Sequence, residues 1–76
     1  MNQALALADQ HGWTAIRHNL LHRVVVLFSR GNECMESEWC HGAMTWAEYW
    51  SPTEPECVHT EHYNVLAEFL STHPVY

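Results

Sequence analysis

There is no lysine in these 76 residues, and the only cations besides histidine are Arg17, Arg23 and Arg30. Holding a nucleic-acid backbone takes clustered Lys and Arg, so no nucleic-acid partner is expected. Glycine is also scarce: two of the three residues stand in Gly31-Asn32 and His41-Gly42. That leaves no glycine-rich loop for a nucleotide phosphate, and neither Gly-x-Ser-x-Gly nor His-Glu-x-x-His occurs. Apolar runs are short, Val24 to Phe28 being the notable one, so none has the length to span a bilayer and no membrane partner is expected. The opening MNQALALADQHGW carries Asp9 and no basic flank, which is not the pattern of a secretory signal. Three cysteines, an odd number, argue against a closed disulfide framework. The expectation is a cytoplasmic, reduced protein that is not an enzyme.

What is present is unevenly placed. Three arginines against Asp9 leave residues 1–32 at +2, while eight glutamates with no lysine or arginine leave residues 33–76 at −8. Such polarity suits a protein partner with a basic face, or a second copy of the chain. An apolar content of 47% is ordinary for a globular chain, and four tryptophans supply much of the area to bury. One domain over residues 1–76 is the expectation.

The pattern predicts an α+β fold: a helix, a four-stranded antiparallel β-meander and a C-terminal helix. Asn2 reads as the cap of a first helix, QALALADQH, with Gly12 just past its end. WTAIRH, RVVVLFSR, ECMESEWC and AMTWAEYW read as strands, with NLLH, Gly31-Asn32 and His41-Gly42 as turns. A competing reading starts a helical turn at Thr45, with Glu48 closing a capping box. SPTEPE breaks the pattern at Pro52 and Pro55. Val58, His62, Val65, Leu66, Phe69 and Leu70 then recur at helical spacing, and Pro74 closes the helix.

Register follows from the turns. A loop at Gly31-Asn32 pairs Phe28 with Met35 and Val24 with Trp39, and one at His41-Gly42 pairs Trp39 with Met44 and Ser37 with Trp46. Both place Val24, Val26, Phe28, Met35, Trp39, Met44 and Trp46 on one face, with Glu48 as an unwanted member. The opposite face then holds Val25, Leu27, Cys34, Glu36, Glu38, Cys40, Thr45, Ala47 and Tyr49. Either the two helices cover one face, or each face receives one. If one face is bare, Val25, Leu27, Glu36, Glu38 and Tyr49, with Trp50 at the strand end, form an amphipathic contact surface.

A metal-binding or redox module is the alternative. Cys57, His59 and His62 are all zinc-ligand types, the two histidines at i, i+3 on the expected helix. Cys34 and Cys40 lie six residues apart on one strand, roughly 20 Å, too far to share a metal or a disulfide. Cys40-His41 are adjacent, so in a strand their side chains diverge, which counts against a catalytic dyad. The seven histidines, His11, His18, His22, His41, His59, His62 and His73, are scattered near element ends and read as solvated turn residues. An acidic mimic of nucleic acid is a further alternative, requiring carboxylates in a regular row.

The missing lysine, the single Ile16 and the wealth of Ala, His, Trp and Glu suggest a GC-rich coding genome. With ADQHGWTAIRH opening the meander and VLAEFLSTHP near the end, the chain resembles small uncharacterised proteins of actinobacteria and their bacteriophages. The resemblance implies a phage-type protein that acts by binding a host protein. It carries no functional residue over.

Overall fold

The computed structural model describes residues 1–52 and 56–72. Its elements are helix α1 (Asn2–Gln10), strands β1 (Thr14–Asn19), β2 (Val24–Arg30), β3 (Glu33–Cys40), β4 (Ala43–Trp50) and β5 (Val58–Thr60), and helix α2 (Tyr63–Leu70). All pairings are antiparallel and the strands follow sequence order, β1-β2-β3-β4-β5. The expected α+β meander between two helices is the fold, extended by a fifth strand.

Ala and Leu favour α1, but Asn2 does not cap it. Met1 takes that position, packs against the core and donates through its nitrogen to Gly42 O at 3.3 Å, so the helix begins at Asn2 with no side-chain cap. At the other end Gly12 has φ +81°, which L side chains resist. Trp13 N–H reaches back to Ala8 O at 2.9 Å and Gly12 N–H to Asp9 O at 3.3 Å, a Schellman closure. Trp13 thereby enters the core and the strand starts one residue later, at Thr14.

The β2–β3 register is the expected one, Arg30 opposite Glu33 and Val24 opposite Trp39. The β3–β4 ladder also begins as expected, with Cys40 opposite Ala43 and Trp39 opposite Met44. It then slips by one. Glu38 pairs with Trp46, leaving Thr45 as an extra residue in a β-bulge whose hydroxyl donates to Glu38 O at 3.2 Å. Beyond the bulge the faces of β4 are exchanged: Ala47 and Tyr49 turn into the core, while Trp46 and Glu48 turn out. The expectation of Trp46 inside and Tyr49 outside is overturned for this reason. So is the helical turn at Thr45, since residues 43–50 are strand throughout. His41 (φ +53°) and Gly42 (φ +81°) form the turn between β3 and β4, with positive φ at both central positions as a type I′ hairpin needs.

Both helices lie on one side of the sheet. The core joins Ala4 and Ala8 of α1 and Leu66 and Leu70 of α2 to Val26, Phe28, Met35, Trp39, Ala47 and Tyr49. Tyr49 stacks on Phe69 with centroids 4.5 Å apart, and Trp39 meets Tyr63 edge-on at 6.0 Å. Ser37, fully buried, donates to Val26 O and accepts from Trp39 Nε1 at 2.9 Å, which satisfies it inside the apolar layer. α2 starts later than the spacing of Val58 and His62 suggests, because residues 58–60 are spent on β5. At its end the Ser71 and Thr72 hydroxyls donate to Ala67 O and Phe69 O, each at 2.7 Å. Pro55, Pro74 and His73 lie outside the described residues.

A buried ion pair holds one corner. Arg30 Nε donates to Glu33 Oε1 at 3.1 Å, and its Nη1 donates to His11 O and Thr72 O, both at 2.9 Å. Its guanidinium lies 4.2 Å from the Trp13 ring centre, and Trp13 Nε1 donates to Leu70 O. Tyr49 OH completes the set with a 2.7 Å bond to Glu33 Oε2. One arginine thus ties the ends of both helices to the β2–β3 hairpin.

Candidate functional site: the outer face of the sheet

With both helices on one side, no layer among the described residues covers the other face of the sheet, and none of its residues is buried. The ladders arrange it in rows. One runs Ile16, Leu27, Glu36, Glu48, His59. Beside it run His18, Val25, Glu38, Trp46, and on the other side Thr14, Ser29, Cys34, Trp50. Of the residues expected to form a contact surface, Val25, Leu27, Glu36, Glu38 and Trp50 are here. Leu27 is 37% exposed and Trp50 36%.

Tyr49 is not. It is buried, with its hydroxyl on Glu33, and burial foremost pushes the phenol above its ordinary pKa, the Glu33 carboxylate adding to the shift. Trp46, Glu48, His59, Ile16 and His18 join the face instead. The one signal that could have found the exchange in β4 was Glu48, a glutamate that uninterrupted alternation forces into the core.

The carboxylates differ in their surroundings. Glu38 accepts from Trp46 Nε1 at 2.8 Å and from Arg23 Nη1 at 3.5 Å, with Cys40 Sγ at 4.0 Å. Glu48 lies 3.4 Å from His59 Nδ1 and 3.7 Å from Cys57 Sγ, and the His59 ring stacks on Trp46 at 6.3 Å. Glu36 has no hydrogen bond or ion pair among the described residues. It stands directly opposite Glu48 in the ladder, and like charges so placed repel.

Cys34, Cys40 and Cys57 are free thiols. Burial pushes the Cys34 thiol up and Glu36 pushes it further. Cys57 is raised as well, by desolvation first and then by Glu48. A neighbouring carboxylate keeps a thiol protonated at neutral pH, the reverse of what activates a nucleophile. Cys57 and His59 meet only at the Glu48 carboxylate. His62 caps α2 at the far end of β5, so the helical i, i+3 pairing of the two histidines does not form. Among the described residues no three His, Cys, Asp or Glu side chains are grouped to hold a metal, and no helix is long and apolar enough to cross a membrane.

Comparison of the chain with protein-family models, with curated proteins and with solved structures returns no match.

Proposed function

We propose that this chain is a cytoplasmic protein-interaction module that binds a basic, partly apolar surface of another protein through the outer face of its sheet. The observation that carries this reading is the Glu36–Glu48 pair. Two carboxylates set directly opposite each other, beside Leu27 and Ile16, weaken the free protein, and a cation between them relieves the repulsion. An arginine or lysine of a partner placed there would engage both, while its surroundings cover Leu27, Val25 and Trp50. The rows set the carboxylates of β3 between the apolar side chains of β1 and β2 and the tryptophans of β4, so a partner's cation and its apolar neighbours can both be met. Should the chain be phage-encoded, as its resemblance implies, the partner would be a host protein.

Selection of a displayed random-peptide library on the immobilised protein tests this. Enriched peptides are expected to carry Arg or Lys beside apolar residues, and to bind more weakly as salt rises. Glu36→Arg combined with Leu27→Asp should weaken them at least about ten-fold. Unchanged affinity in that variant removes the outer face from consideration.

A further inference from the structure

Among the described residues no strand pairs with the outer edge of β1. β1 pairs with β2 without irregularity from Thr14↔Ser29 to Asn19↔Val24, contains no proline, and is exposed at all six positions. The opposite edge is the three-residue β5. Leu20 N–H donates to Arg23 O at 2.8 Å, which fixes the phase of the ladder. Hydrogen-bonded positions alternate, so Thr14, Ile16 and His18 bond to β2, while the N–H and C=O groups of Ala15, Arg17 and Asn19 point away from the sheet. These groups form a template for one more strand.

The chemistry at this edge differs from the rest of the molecule. Residues 10–32 contain all three arginines, three histidines and no acid, in a chain of net charge −6. Under the edge lies a groove of about 390 Å³ lined by Arg17, Arg23, His22, His41, Leu21 and Trp39. Among the described residues, Arg17 has only the Asn19 side-chain oxygen as a partner, at 3.0 Å, and Arg23 only the 3.5 Å contact to Glu38. Leu21 is 90% exposed and Ile16 51%, so apolar side chains flank the cationic ones.

We propose that β1 takes an extended acidic segment of a partner protein as a sixth strand, one carboxylate of the segment entering the Arg17–Arg23 groove. This surface adjoins the outer face at Ile16 and His18, but it rests on the backbone edge of β1 and the groove beneath it and does not depend on the role of Glu36 and Glu48. Charge selects the occupant. A second copy pairing through the same edge would set Arg17 and Arg23 against their own equivalents, which like-charge repulsion disfavours. A nucleic acid would gain two arginines and meet the acidic half of the chain, a poor exchange.

The probe is an acetylated, amidated peptide of alternating Glu and Val, about eight residues long to match a strand, added at millimolar concentration to isotope-labelled protein. Amide exchange at Ala15, Arg17 and Asn19 should slow by at least about ten-fold, with no such change for a Lys–Val peptide. Arg17→Glu should weaken binding by about ten-fold or more. Ala15→Pro separates strand addition from simple anion capture. It removes an N–H that the sheet does not use, so the fold and the groove charge persist while strand pairing is blocked. Binding by this variant equal to the parent's would mean an anion in the groove only, and overturns the proposal. Three other results overturn it too: no slowing of the three amides, oligothymidylate binding as tightly as the Glu–Val peptide, or concentration-dependent protection of the edge without peptide. If Ala15→Pro loses its near-ultraviolet signature of folding, the exchange data on the unmodified protein and the Arg17→Glu comparison still decide.

Discussion

Arg30 reaches far along the chain, bonding to His11 O and to both the carbonyl and the hydroxyl of Thr72. Its guanidinium is desolvated, yet Glu33, two backbone carbonyls and the Trp13 face satisfy it. A buried ion pair compared with an apolar pair contributes little, but breaking one side leaves an uncompensated charge. Arg30→Ala is therefore expected to lower unfolding free energy by about 3–5 kcal/mol. That is a large share of the roughly 4–11 kcal/mol available to a domain this size. Urea unfolding measures it, and Arg30→Met with Glu33→Leu should regain part of the loss. Tyr49 adds a pH dependence. Its phenol is raised in the folded chain, so the neutral form is the one the fold prefers. The stabilisation is complete below the ordinary tyrosine value near 10 and is lost as pH rises through the folded value. Tyr49→Phe should make the alkaline limb of the stability curve shallower, at a cost near neutrality of about 1–3 kcal/mol from one donor fewer on Glu33.

Among the elements, β4 shows what local pattern can and cannot encode. Thr45 pairs with no residue of β3, so deleting it leaves Met44 inside, Trp46 outside and Tyr49 inside. Deleting Ala47 instead puts either the residues before it or those after it on the wrong face. The first deletion should cost about 1 kcal/mol or less and the second should abolish cooperative unfolding, both read from denaturation midpoints and slopes. The two turns were legible in the sequence because Gly31-Asn32 and His41-Gly42 carry their own backbone signals, and the β2–β3 register followed without error. The bulge was not, because Thr45 is an ordinary β-branched strand residue and nothing local marks it as extra. β5 was missed for another reason. Val58, His59 and Thr60 are too few for alternation to register, and Val58 falls by chance at helical spacing from His62 and Val65. Which residues share the open side of the sheet is consequently legible in the sequence on β2 and β3 but not at Tyr49 on β4.

At the scale of the whole molecule, two layers segregate both packing and charge. Which side of the sheet the helices take depends on the summed fit of Ala4, Ala8, Leu66 and Leu70, and no single segment reveals it. The result is an acidic open face on β3 and β4 and a cationic edge at β1. Protection should grade across the sheet accordingly. In the free protein, backbone amides of β3, paired on both sides, should exchange slowest, and those of Ala15, Arg17 and Asn19 within the fastest group. Amide exchange followed residue by residue by NMR checks this, and slow exchange at β1 without added ligand would show that its edge is already covered.

The bulge at Thr45 acts on this surface as a frameshift acts on a message. A strand is written in a two-letter alternation, one letter for the core and one for the surface. Before Thr45 the even position, Met44, spells core; after it the odd positions, Ala47 and Tyr49, do. The extra residue leaves the helices, the turns and the β2–β3 ladder untouched, yet it decides which of Trp46 and Tyr49 the molecule presents. Insertion or loss of one residue in β4 is thus a way to exchange the side chains that this strand presents on the open face while keeping the same fold.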